Sequence, residues 1–358
     1  MARFSGAVCL ALCLLLVGCG SSGSGNATSA TSGAATAGVS TTAVAAATAT
    51  TTAKATTTLA NAARGKWVTN VVGTSSTTFT VVGCATATFC MAIDQGHNAF
   101  SFNGSAWSAP ASVDATGNPN SLSCPSATAC VLTDLQGQFT VFGGSAWTAP
   151  ARFSKSGSDA ASCPTPTFCM AVDASGNALS YNGTTWSAPQ VIDPVAAKAY
   201  DDVNSGKTND LVNLRVSCPA VSFCAVIDTL GNAMTFNGSA WTTPAAVNPG
   251  AKPIASALSC ASPTFCVTIK AGQYVVFNGS SWGSAKPLNG SFDKVSCPSA
   301  GFCMATDQTS WATFDGSVWS PAPANAPRLN SALAMTCPTK DFCVAVGAYG
   351  NVSLYSSS

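Results

Sequence analysis

The chain has 358 residues, of which only 8% are charged and 47% are hydrophobic, and its formal net charge is +1. Nucleic-acid partners require clustered Lys and Arg, so 15 such residues scattered through a near-neutral chain exclude that class. There is no Glu and only one His, and no Gly-rich phosphate loop, Ser-His-Asp pattern or HExxH motif occurs.

The first element is a leader. Arg3 supplies a positive start and Ala7 to Val17 an apolar run too short for a comfortable membrane span. The following Leu16-Val17-Gly18-Cys19 resembles the lipobox of bacterial lipoproteins. That resemblance implies cleavage after residue 18, lipidation of Cys19 and a membrane partner reached through two or more acyl chains. The expected location is the cell envelope, on the extracytoplasmic side of a bacterial membrane; secretion after ordinary signal cleavage is the alternative. Residues 19–64 follow, nearly all Ala, Thr, Ser and Gly, with Lys54 and Arg64 as their only charges. Such a composition cannot bury enough apolar surface to order itself, and a flexible tether of about 45 residues would reach roughly 35–40 Å.

Residues 65–358 are built from one cassette repeated seven times. Each copy has two cysteines six apart, an apolar stretch and a turn, and in six copies a Trp follows the second cysteine by 16 or 17 residues. Successive copies start 40, 39, 55, 42, 37 and 40 residues apart, near the length of one four-stranded blade. The third copy reads as four short strands: Ala160-Ala-Ser-Cys163, Cys169-Met-Ala-Val-Asp173, Asn177-Ala-Leu-Ser-Tyr181 and Trp186-Ser-Ala-Pro189. No stretch is periodic enough to argue a helix. The seventh copy ends at Tyr355-Ser-Ser-Ser with no Trp strand, whereas Trp67 precedes Cys84 by 17 residues, as Trp107 precedes Cys124. The expectation is therefore an all-β, seven-bladed β-propeller of four-stranded antiparallel blades, closed by an N-terminal strand that completes the last blade. A linear solenoid would need caps instead.

In an exported domain the cysteines are read as oxidised. Every pair spans the same five-residue turn, which favours local bonds: Cys84 with Cys90, Cys124 with Cys130, Cys163 with Cys169, Cys218 with Cys224, Cys260 with Cys266, Cys297 with Cys303 and Cys337 with Cys343. The spacing is wrong for zinc, and neither a metal nor a cofactor is expected.

The Asn-Gly pairs at Asn103, Asn182, Asn237 and Asn278 match glycosylation sequons, but the same pair is favoured in type I′ hairpins, and the turn is the reading adopted. With Asp315-Gly-Ser-Val-Trp319 as the sharpest copy, these hairpins resemble the Asp-box (BNR) hairpin of sialidase-like propellers. The Asp-box has one more residue between its Asp and Trp, so the resemblance implies a propeller blade and nothing catalytic. Sialidases use three clustered Arg, a Tyr–Glu pair and an Asp acid. Here Arg152, Arg215 and Arg328 occupy non-equivalent blade positions, and Glu is absent.

In a four-stranded meander the 2–3 turns and the blade-to-blade connections share one face, and the informative residues fall there. Asp94, Asp134, Asp173, Asp228 and Asp307 recur four residues after the second cysteine, either closing an Asx turn or forming an acidic ring near the axis. His97 lies in the first of these loops. Between Trp186 and Cys218 the connection is 32 residues long, against 15 to 19 elsewhere, and holds Tyr200, Asp201 and Asp202. Length and charge together suggest a recognition loop. The aromatics Phe100, Phe102, Tyr181, Phe236, Phe277 and Trp311 sit in third strands and are expected in the core between blades. The leading functional expectation is a monomeric, non-enzymatic binding or scaffold protein that recognises a protein or glycan through this face. A carbohydrate-active propeller enzyme and a structural envelope protein remain the alternatives.

Overall fold

The computed structural model describes residues 57–58, 65–113, 117–248, 257–270 and 272–357. The leader, Cys19 and nearly all of the tether lie outside the described residues.

Each cysteine pair opens a blade. In blade 1 the first three strands are Phe79–Thr86, Phe89–Asp94 and Asn98–Phe102, and the fourth is split into Ala106–Trp107 and Ala111–Ser112. The same up-and-down order recurs through blade 6, which ends with Trp311–Phe314 and Trp319–Pro321. In blades 2 to 5 the Trp itself makes only an isolated bridge, as Trp186 does with Tyr181, before a two-residue fourth strand. Thr57–Thr58 adds a short pairing to the outer edge of blade 1.

Blade 7 shows how the ring is shut. Its first three strands are Ala332–Thr339, Phe342–Gly347 and Asn351–Ser356, and its outer strand is Lys66–Val71, paired from Lys66 with Ser356 to Val71 with Asn351. Trp67 lies against the Tyr355 ring with 5.6 Å between centroids and is 2% exposed. The first strand of blade 7 also packs on that of blade 1. A closed ring leaves no edge at either end of the repeat for another chain to extend.

The strand patterns follow from stacking blades side by side. Second strands such as Phe223–Asp228 are buried at nearly every position, because neighbouring blades cover both faces of the sheet, and they read as continuous apolar runs. First strands such as Leu214–Ala220 alternate, one side turned to the neighbouring blade. Phe100, Phe102, Tyr181, Phe277 and Trp311 are buried between blades, and Phe236 packs on the same cores.

All seven cysteine pairs are disulfides, with Cα separations of 3.9–4.1 Å across the first hairpin of each blade. The residue before the first cysteine has its own use. The Ser259 hydroxyl accepts the Cys297 amide of the next blade at 2.9 Å, and Ser123, Ser162, Ser217 and Ser296 do the same for Cys163, Cys218, Cys260 and Cys337 at 2.9–3.0 Å. These bonds zip five consecutive blade joints near the axis. Gly83 and Thr336 replace the serine in blades 1 and 7.

Two expectations need correction. The long connection contains an α-helix, Pro194–Asn204. Asp193 caps it, accepting the amides of Val195 and Ala196 at 3.0 and 3.1 Å, and Pro194 fills the first turn, where its missing N–H costs nothing. The Asn-Gly hairpins are also not two-residue type I′ turns. Phe102 pairs with Trp107 across four intervening residues, and only Gly104 is left-handed. The Asn103 side-chain oxygen accepts the amides of Ser105 and Ala106 at 3.0 and 2.9 Å, so the side chain, not a second left-handed residue, closes the loop. Asp315 does the same for Ser317 and Val318, both at 2.9 Å.

Candidate functional site

Close packing sorts the loops onto two faces. On one, the Asn-Gly turn sits on the disulfide hairpin of the same blade: a Cβ on Gly104 would come within 3.0 Å of the Thr88 side chain. On the other, each 2–3 turn sits under the connection leaving its blade. Gly176, at φ 72°, lies so close to the Asp193 carbonyl that no side chain fits. The first may be called the hairpin face and the second the loop face.

The turn aspartates are on the loop face but inside it. Asp94 and Asp134 are 5% exposed, Asp173 1% and Asp228 0%. Asp173 Oδ1 accepts the amides of Ser175 and Asn177, both at 3.1 Å, and its Oδ2 accepts the Ser154 hydroxyl at 2.8 Å and the Asn177 amide group at 3.2 Å. Asp94 and Asp228 bind their turns in the same way through Asn98 and Asn232. These carboxylates hold the turns shut, and none lines the central cavity. Asp307 alone of the five is only half-buried. His97, at φ 59°, takes the left-handed position that Gly137, Gly176 and Gly231 hold in their blades, and it is half-buried.

The helix stands on this face. Tyr200 is half-buried and Asp201 exposed. Asp202 pairs with Lys198 and, at 3.2 Å, with Lys207, and those two ammonium groups, Lys198 first, hold its carboxyl below the usual carboxylate range. At the helix start burial pushes Asp193 up, and the Asp228 carboxylate beside it pushes it further, against the two helix amides. Near the axis burial pushes Asp159 up to about 6, opposed by the Leu214 amide and by Arg215.

Two hollows open among these residues. A central cavity of about 380 Å³ is lined by the starts of first strands, including Arg215, Lys294, Asp293 and Leu333. Lys294 pairs with Asp293 at 2.7 Å. A second cleft of about 290 Å³ lies between blade 6 and its flanking connections, with Asp307, Trp311, Phe292 and Arg328 among its walls. Among the described residues no three His, Cys, Asp or Glu converge as metal ligands would.

Exposed apolar side chains are distributed unevenly. Leu135, Leu230 and Tyr349 project from 2–3 turns, Val195 and Leu211 from the long connection, and Val71, Val191 and Leu333 from loop-side strand ends. Among the described residues the hairpin face shows only Val221 and Val318. Tyr349 is 64% exposed and held at φ 60°. The sequence reading missed this asymmetry, because each residue is a single apolar letter in a turn and only closure of the ring collects them.

No family model matches the chain, and no curated protein matches it by sequence. Solved structures are similar to it in shape. YCF48 bound to a D1 peptide superposes with a TM-score of 0.63 at 11% identity, over 84% of this chain and 100% of that one. YCF48 from Cyanidioschyzon merolae gives 0.61 at 13% identity, over 81% and 98%. The WD40 repeats of RRP9 give 0.62 at 8% identity, over 80% and 97%. At these identities the likeness establishes the fold alone, a seven-bladed propeller.

Proposed function

We propose that this chain is a lipid-anchored, extracytoplasmic binding protein whose loop face holds a partner protein. The observation that carries the reading is the one-sided distribution of exposed apolar side chains, eight among the described residues of the loop face against Val221 and Val318 on the other. An apolar patch set in polar loops marks a surface that is covered in use, and propeller loops are held by a rigid frame that costs little to organise. A similar propeller, YCF48, has been solved with a D1 peptide bound, which supports a peptide or protein as the ligand class. Export is supported by seven disulfides, which persist in oxidising compartments. Anchoring through Cys19 rests on the lipobox-like leader alone, and the Asp-box likeness bears on the blade hairpins only.

The test is a photo-crosslinking side chain placed in intact cells at position 230 or 349 on the loop face, or at 221 or 318 on the hairpin face. Discrete protein adducts are expected from the first pair only. Equal labelling from both faces, or none from either, defeats the proposal.

A further inference from the structure

Blade 6 departs from the turn rule that its neighbours keep. In blades 1, 3 and 4 the fourth residue after the turn aspartate is Asn, whose side-chain amide donates back to the carboxylate: Asn98 to Asp94 Oδ2 at 3.0 Å, Asn177 to Asp173 Oδ2 at 3.2 Å, Asn232 to Asp228 Oδ2 at 2.7 Å. With backbone amides on Oδ1, both oxygens are used and the group is buried. In blade 6 Trp311 stands where that Asn would be. Asp307 Oδ1 still accepts the amides of Thr309 and Ser310 at 2.6 and 2.5 Å, but Oδ2 has no partner among the described residues. Trp311, 5% exposed, turns its indole N–H to the Pro327 carbonyl at 3.3 Å and so holds the connection to blade 7 against blade 6. That contact forms one wall of the 290 Å³ cleft, and Asn289, Gly290 and Phe292 form another. Asp307 and Arg328 both line the cleft without forming an ion pair.

We infer that this cleft receives a Lys or Arg side chain of the partner protein, whose cationic head donates to Asp307 Oδ2. An ionised carboxylate oxygen accepts only, so its ligand must be a donor, and a cation is favoured over a neutral group. The walls contributed by Phe292, Trp311, Pro321, Pro323 and Pro327 suit the methylene stem of such a side chain. Arg328, exposed at the rim, offers donors to the partner's main-chain carbonyls. The proposal rests on the reading of the loop face as a protein-binding surface.

The probe is a phage-displayed library of linear dodecapeptides panned on the purified full chain, with Kd measured by fluorescence polarisation for the enriched peptides. Enrichment of Lys or Arg is expected. Asp307→Asn should weaken binding about tenfold or more, as should replacing the peptide's basic residue with Met. The substitution keeps Oδ1 as acceptor for the turn, so an unchanged melting curve separates lost binding from lost fold. Thr184→Ala, on the hairpin face, should leave Kd unchanged. Enriched peptides without a basic residue, or peptides that bind Asp307→Asn equally well, overturn the cleft assignment while leaving the protein-binding reading in place. No enrichment at all defeats both.

Discussion

At the scale of single residues, one letter serves very different environments. Asp315 is exposed at a hairpin tip, where the amide of Val318, the hydroxyl of Ser317 and then its amide hold its carboxyl below the usual range. Asp159 is pushed up to about 6 by burial. The folded state therefore holds the Asp159 proton more tightly than the unfolded chain, whose carboxyl titrates near 4. The stabilisation is full below about pH 4 and is lost as pH rises through 6, by up to about 3 kcal/mol. Asp159→Asn keeps an acceptor for the Leu214 amide, bonded at 2.7 Å, and removes the titration. Thermal melts between pH 4 and 7 should fall more steeply for the natural chain than for the variant. Parallel curves would show that the carboxyl is not desolvated. The spacing located all five turn aspartates, yet it gave no means of telling Asp307 from the other four. In three of those four an Asn side chain four residues on folds back to the carboxylate, and in blade 6 Trp311 occupies that place.

Among elements, the blade joints have bonds of their own, distinct from those within the blades. The cysteine pairs drew attention to the disulfides, but each closes only a five-residue loop and gains roughly 2 kcal/mol by constraining the unfolded chain. The Ser-Cys dipeptides act between blades instead. Ser259→Ala leaves the Cys297 amide without its partner, so a loss of about 1–3 kcal/mol is expected. Ser280→Ala, at an exposed hairpin tip, should cost less than about 0.5 kcal/mol. Urea denaturation of the two variants compares them directly, and equal midpoints would refute a structural role for the ladder. The serine was visible before five of the cysteines, but its partner lies 38 to 56 residues on, a distance only the ring closes. The helix at Pro194–Asn204 was missed for a different reason. Its Asp-Pro start and Ala-rich body are a fair helix signal, overlooked in a chain where every other segment reads as strand.

For the whole molecule, closure decides both stability and orientation. Trp67, brought in from the start of the domain, packs among Met304, Trp311, Leu329 and Tyr355. Trp67→Ala should cost about 3–5 kcal/mol and expose the outer edge of blade 7, giving a lower melting temperature together with concentration-dependent aggregation. Trp147→Ala, at a half-buried position on the outer part of blade 2, should cost less. A smaller effect at Trp67 than at Trp147 would argue against closure through this strand. The Gly65 amide bonds to Ser356 and the Ser357 amide to Asp341 at 3.2 Å, so both ends of the domain leave from the hairpin face, opposite the candidate binding surface.

By itself the sequence determined the number of blades, the local disulfides, the positions of the two sets of turns and the displaced closing strand, because the repeat states the cysteine pair seven times and the Trp of the fourth strand six times, leaving Trp67 to supply the seventh. Only the tertiary structure decided which aspartates are buried, which apolar side chains gather on one face, and that blade 6 opens a cleft with a free carboxylate oxygen. The Asn that folds back on a turn aspartate is only four residues away, but what covers that turn, and which apolar side chains meet on one face, depend on neighbours across a blade joint or beneath a connection that are tens of residues apart in the chain.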